Sequence, residues 1–90
     1  METRPFIHTP ERLAEVVRAG RSEKGWTQQE LAARANVGRK FVISVEAAHS
    51  RAEIGKVLAV LAALGLQPRA VPVPPVWAAV TDSEVGDGAT

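Results

Sequence analysis

Ninety residues, 46% of them apolar, suffice for one small core and are too few for two domains. The chain has no Cys, and its two histidines, His8 and His49, stand far apart, which excludes a disulfide framework, a thiolate metal site and a histidine ligand pair. Its net charge of +1 hides an asymmetry: residues 1–69 hold eleven Lys/Arg against seven acids, a net +4, while residues 70–90 hold Asp82, Glu84 and Asp87 and no base.

A basic body with an acidic tail suits nucleic-acid contact by the body. No apolar run approaches the roughly 18 residues of a membrane span. The start METRPFIHTPER lacks the apolar stretch of an export signal, so a cytoplasmic protein without membrane contact is expected.

Residues 1–8 read as a short arm. Thr9-Pro10-Glu11 is a helix start: a hydroxyl N-cap, a proline where no N–H is needed, and an acid against the helix dipole. Leu13, Val16, Val17 and Gly20 share one helical face, and Gly25 is placed to end it. Thr27-Gln28-Gln29-Glu30 is a capping box, in which Thr27 and Glu30 satisfy each other's backbone N–H groups. Trp26 before the cap and Leu31 at the fourth helical position form a hydrophobic staple, a structural role rather than a ligand site. The second helix runs on through Ala32 and Ala35. Asn36 tolerates the left-handed turn, Val37 plugs it, and Gly38 serves as N-cap of a third helix. There Val42 and Val45 face inward with Phe41 beside them, while Arg39, Lys40, Ile43 and Ser44 point elsewhere.

Ser50-Arg51-Ala52-Glu53 has the spacing of a second capping box. It predicts a helix with Ile54, Val57, Leu58, Leu61 and Leu64 on one stripe and small Ala59, Ala62 and Ala63 on the others, ended by Gly65. Leu66 to Val73 has no helical period. Pro68 and Pro72 both occupy even positions, so the missing N–H groups lie on one edge and the odd residues remain free to pair on the other. A lone strand beside helices has no partner in its own chain. Pairing with a second protomer is therefore expected, through Leu66, Arg69, Val71 and Val73. Residues 74–90 read as a flexible acidic tail. Trp77, in its apolar patch VWAAV, stays open to two readings, an unstructured remnant or an anchor for a partner. The chain thus divides into an arm (1–8), a helical domain (9–65), a dimerisation strand (66–73) and a tail (74–90).

Residues 28–46, QQELAARANVGRKFVISVE, resemble the helix-turn-helix of the Xre/lambdoid repressor family. Leu31, Ala32, Ala35, Val37, Val42 and Val45 occupy its apolar positions, with Ala32 where two helices cross too closely for a larger side chain. Asn36 departs from the family's usual turn Gly and stiffens the turn. Gly38 departs from the usual Ser, Thr or Lys and leaves the third helix a weaker cap and one contact fewer. The resemblance implies an all-α, lambda-repressor-like domain of four to five helices, with a C-terminal strand that pairs between protomers. A wider likeness, over about residues 10–73, is to HipB-type antitoxins. It rests on GWTQQELAARANVGRKFVISVE with Phe41, and on AEIGKVLAVLAALGLQPRAV with its helix and terminal strand. It implies a homodimer on palindromic double-stranded operator DNA, a HipA-type serine/threonine kinase toxin as partner, and repression of the shared operon. A stand-alone Xre-type regulator without a toxin is the alternative.

The chemistry expected is binding rather than catalysis, without cofactor or metal: there is no Cys nucleophile, Gly-rich phosphate loop or His–carboxylate cluster. Arg39, leading the third helix, can grip guanine O6 and N7 with two hydrogen bonds, worth about 1–3 kcal/mol of discrimination. Lys40 suits a guanine or a phosphate, Ser44 a base edge, and Ile43 either a thymine methyl or partial burial. Outside a helix-turn-helix frame, Arg39 and Lys40 would be a plain solvated pair. Phosphate contacts fall to Gln28 and Gln29, at the free N–H groups of a helix start, and to Gly38. The resemblance pairs Arg21 with Glu46 in an internal salt bridge tying the first helix to the third. His8 and His49 read as surface residues. An adaptor that has given up DNA is a third reading, against which intact Arg39 and Lys40 speak.

Overall fold

Thr9 opens helix α1 (Pro10–Lys24), its side-chain oxygen accepting the Arg12 N–H at 3.0 Å while Pro10 takes the first turn. The computed structural model describes residues 6–70 and 72. After α1 come α2 (Gln28–Ala35), α3 (Arg39–Glu46) and α4 (Ile54–Ala63), so the domain has four helices, and no strand forms among the described residues. None of these helices is long and apolar enough to cross a membrane.

The helices stop in one way. Gly25, Asn36, Ala48 and Gly65 each follow a helix with positive φ, at 70°, 59°, 63° and 79°. The N–H after each bonds back five residues: Trp26 to Arg21, Val37 to Ala32, His49 to Ser44 and Leu66 to Leu61, at 2.8–3.1 Å. Each end is thus closed by a left-handed residue that returns otherwise unpaired carbonyls to a partner. Glycine and asparagine accept this backbone readily; alanine at 48 does so at a cost.

One core joins all four helices, from Val16 and Val17 through Leu31, Ala32, Ala35, Val42 and Val45 to Val57, Val60, Leu61 and Leu64. Helix α2 packs on both α3 and α4, and α1 packs on α3. Ala32 has essentially no exposed surface, so any larger side chain would have to displace a neighbour. Gly20 lets α1 approach α4: a Cβ there would stand 3.3 Å from Leu64 Cδ1.

Two expectations need correction. Ser50 and Glu53 form no capping box: α4 begins at Ile54, Glu53 is its N-cap, and no side chain caps it. The pattern is matched but the chain has other work there. His49 is tied back to α3, and residues 50–53 carry the chain across to α4, with Ala52 packed on the core. The second correction is the stripe on α4. Val57, Leu61 and Leu64 are buried, but Ile54 is 69% and Leu58 43% exposed, and Val60 takes the inner position instead. Leu66 packs against the core, and residues 67–70 and 72 are exposed without regular structure. Val71, Val73 and the tail with Trp77 lie outside the described residues, as do residues 1–5.

Candidate nucleic-acid interface

The start of α2 is built by its capping box. The Glu30 N–H donates to Thr27 Oγ1 at 3.0 Å, and the Thr27 N–H donates to Glu30 Oε1 at 2.7 Å. The backbone N–H groups of Gln28 and Gln29 are left without an acceptor among the described residues, so they and the positive helix end can hold an anion. Trp26 packs half-buried against the core to which Leu31 belongs. Its ring carries the Arg34 guanidinium 4.4 Å and Lys24 Nζ 5.5 Å from its centroid. Such contacts at a partly wet ring are worth about 0.5–1 kcal/mol each, and here they pin the loop from α1 onto α2.

Glu46, at the last turn of α3, gathers the three helices. Arg21 of α1 donates Nε to Glu46 Oε2 at 2.7 Å and Nη2 to Oε1 at 3.0 Å, and its Nη1 reaches the Trp26 carbonyl at 3.0 Å. Gln28 of α2 donates Nε2 to the same Oε1 at 3.1 Å, and Arg18 of α1 donates Nη1 to the Glu46 backbone carbonyl at 2.5 Å. The Glu46 side chain is 5% exposed and Arg21's is 23% exposed. Hydrogen bonding to Glu46 raises the Arg21 pKa above its ordinary value against the opposing effect of burial, so the guanidinium stays charged. The forked geometry holds α3 at a set angle to α1 and α2. Sequence reading reached Arg21 and Glu46 but not Arg18 or the Gln28 bond. Arg18 stands one turn before Arg21, a spacing that places both on one face.

Held in this way, α3 offers its leading end to solvent. Gly38 caps it with extended backbone and no side-chain bond. Arg39 and Lys40 are exposed and make no ion pair among the described residues. Ile43 and Ser44, a turn on, are half-buried. Gln29 is exposed, whereas Gln28 is half-buried with one amide N–H committed to Glu46. Phe41 lies half-buried at the flank, with Lys56 Nζ of α4 5.8 Å from its ring centroid, a contact with no counterpart in the sequence reading. The arrangement is an open, cationic helix start beside a second helix start with free N–H groups. It can enter a groove and grip the phosphates at its edge.

Residues 17–71 match the family model HTH_3, helix-turn-helix. A curated relative is the uncharacterized HTH-type transcriptional regulator y4mF of Sinorhizobium fredii (strain NBRC 101917 / NGR234). It is 46% identical over 59 residues, which cover 66% of this chain and 78% of the relative. Among solved structures, a HipB variant in complex with an O2 20mer superposes with a TM-score of 0.72 at 22% identity, covering 79% of this chain and 99% of that one. A HipA-HipB-O2-O3 complex contains a chain with a TM-score of 0.69 at 24% identity, covering 76% of this chain and 96% of that one. At these identities the structural likeness is one of fold.

Proposed function

This chain belongs to the helix-turn-helix family of DNA-binding transcription regulators, and we propose that it works as a dimeric antitoxin: it binds a palindromic operator, represses its own operon and neutralises a HipA-type serine/threonine kinase toxin. The observation that carries the DNA half is the exposure of Arg39 and Lys40 at the uncapped start of α3, with that helix locked from behind by Glu46. Arg39 reads a guanine, Lys40 a guanine or a phosphate, Ser44 a base edge and Ile43 a thymine methyl. Gln29, the free backbone N–H groups at Gln28 and Gln29, the second amide N–H of Gln28 and the backbone at Gly38 hold phosphates. Dimerisation runs through Leu66, Arg69, Val71 and Val73 as paired strands. The setting is the cytoplasm.

The toxin half is supported by the fold shared with HipB, in one solved structure with an O2 20mer and in another with HipA. The second reading is a stand-alone regulator, and the y4mF relative, described as a transcriptional regulator, favours it. One pair of experiments decides. Selection of bound sequences followed by footprinting is expected to return a two-fold palindrome with half-site centres about one or two helical turns apart. Co-expression with a kinase encoded beside this gene is expected to yield a stable complex and a silenced kinase. Tight operator binding with no kinase captured and no kinase inhibited would leave the stand-alone regulator in place.

A further inference from the structure

The ring of Trp26 holds more charge than pinning a loop requires. Arg34, in the last turn of α2, lies with its guanidinium 4.4 Å from the ring centroid, and Lys24, in the last turn of α1, with its ammonium 5.5 Å from it. One cation would tie the loop to α2; the second adds the repulsion of a like charge on the same ring. Both residues are exposed, and neither makes an ion pair among the described residues. The carboxylates nearest in sequence are placed elsewhere. Glu30 stands four residues before Arg34, the spacing of an ordinary helical ion pair, but its Oε1 takes the Thr27 N–H in the capping box, and the guanidinium goes to the ring instead. Glu23, beside Lys24, lines the groove that Gly20 and Leu64 form between α1 and the end of α4. Arg34 starts at the far end of α2, about 9 Å along the axis from Gln28, and its stacking brings the charge back to the end where α2 begins.

We propose that Lys24 and Arg34, held on Trp26, grip phosphates of the DNA strand just outside the base-read half-site. The proposal rests on the DNA-binding reading above and adds to it a contact made by the ends of α1 and α2. With α3 in the groove and the start of α2 on its edge, the loop leading into α2 comes to the strand beyond that edge. Two cations fixed side by side without a counter-ion form a site for an anion. A phosphate arriving there relieves their repulsion, displaces condensed counterions and meets side chains whose freedom the ring has already restricted. Continuity selects a nucleic-acid strand over an acidic protein as the occupant. The free N–H groups of Gln28 and Gln29 follow Trp26 by two and three residues, so one run of phosphates meets both sets of donors.

The test uses the full chain and two duplexes: the selected operator with about one helical turn of random sequence at each end, and the same operator cut back to its base-read half-sites. The double variant Lys24→Gln, Arg34→Gln is expected to keep the helical circular-dichroism spectrum and the base preference of the wild type. On the flanked duplex it is expected to flatten the slope of log affinity against log salt by about two per protomer. On the cut-back duplex it is expected to bind as the wild type does. Each single change should take about half of that effect, so both remain readable if the pair does not fold. The variant Lys24→Arg, Arg34→Lys, which exchanges the two cations, is expected to keep the wild-type slope. An unchanged slope in the glutamine variants, with Arg39-dependent operator binding intact, overturns the proposal and leaves the DNA reading in place. An equal loss on both duplexes overturns it as well, because the cations then act within the half-site. So does a wild-type slope combined with loss of the kinase complex on co-expression, which makes the patch a protein contact. A wild-type chain that binds neither duplex removes the DNA reading and this contact together.

Discussion

Helices α3 and α4 both bury one side in the same core and leave the other open, yet they are open in opposite chemistries. The free side of α3 begins with two exposed cations, Arg39 and Lys40, without an ion pair among the described residues, at an end that no side chain caps. The free side of α4 holds Gly55, Leu58 and Ala62 and no charge. The fixings behind them differ as well. Polar bonds from Arg18, Arg21 and Gln28 to Glu46 orient α3, whereas α4 is held by apolar packing of Val57, Val60, Leu61 and Leu64. Directional bonds set the angle of a helix, whereas apolar packing is satisfied by shape alone. The comparison can be broken at the fixing of α3, at its contacts, or at the joint between the two helices.

The largest effect is expected at the fixing. Glu46→Ala removes the carboxylate that Arg21 and Gln28 share and leaves Arg21 without its anion, while the backbone carbonyl that Arg18 reaches stays in place. Breaking a fully buried pair costs about 3–5 kcal/mol; because Arg21 retains some water contact, about 2–3 kcal/mol is expected here, read from the urea midpoint. A loss below about 0.5 kcal/mol would rank the network with solvent-screened surface pairs and remove the contrast with α4.

Next comes the contact itself. Arg39→Ala should leave the unfolding midpoint in place, lower specific affinity by about 1–3 kcal/mol and relax preference at one base position. Equal losses on operator and random DNA would show that Arg39 meets only the backbone. Lys40→Ala and Gln28→Ala sharpen the same point through salt. If Lys40 neutralises a phosphate, its loss lowers the slope of log affinity against log salt by about one. Gln28 carries no charge, so its loss, worth about 1 kcal/mol, should weaken binding to all sequences alike at an unchanged slope. A changed slope in Gln28→Ala would place its action in the charge network around Glu46 rather than on a phosphate.

The two helices were unequally legible. Around α2 and α3, local rules and packing point the same way. Thr27 and Glu30 sit at capping distance, Asn36 takes the left-handed turn, and Val42 and Val45 lie one turn apart with Phe41 beside them, opposite Arg39, Lys40 and Ser44, so one face of α3 goes inward. Arg21 and Glu46, remote in sequence, came from the family likeness rather than from spacing. In α4 every residue but Gly55 and Lys56 is Ile, Val, Leu or Ala, so periodicity has nothing to choose between and tertiary contact decides that Val60 goes in and Leu58 stays out. Ser50 and Glu53 matched a capping pattern at the right spacing, but the distance between α3 and α4, invisible in the chain order, required those residues as a link.

The smallest effect is expected at that link. Ala48 closes α3 with φ 63°, the conformation that Gly25 supplies after α1 with φ 70°. For an L-residue with a Cβ this backbone costs roughly 1–2 kcal/mol, while a glycine gives up about 0.5–1 kcal/mol more entropy on folding. Ala48→Gly should therefore stabilise the fold by about 0.5 kcal/mol, a rise in Tm of roughly 2–4 °C for a domain of this size. Gly25→Ala should do the opposite by about 1 kcal/mol, although nothing stands within 4 Å of the added Cβ, because the strain is in the backbone. Neither change touches Arg39 or Lys40, so affinity for operator DNA should hold. If Ala48→Gly instead lowers operator affinity while raising Tm, the stiffness of the alanine joint is part of how α3 is aimed. The angle of α3 would then depend on its connection to α4 as well as on Glu46.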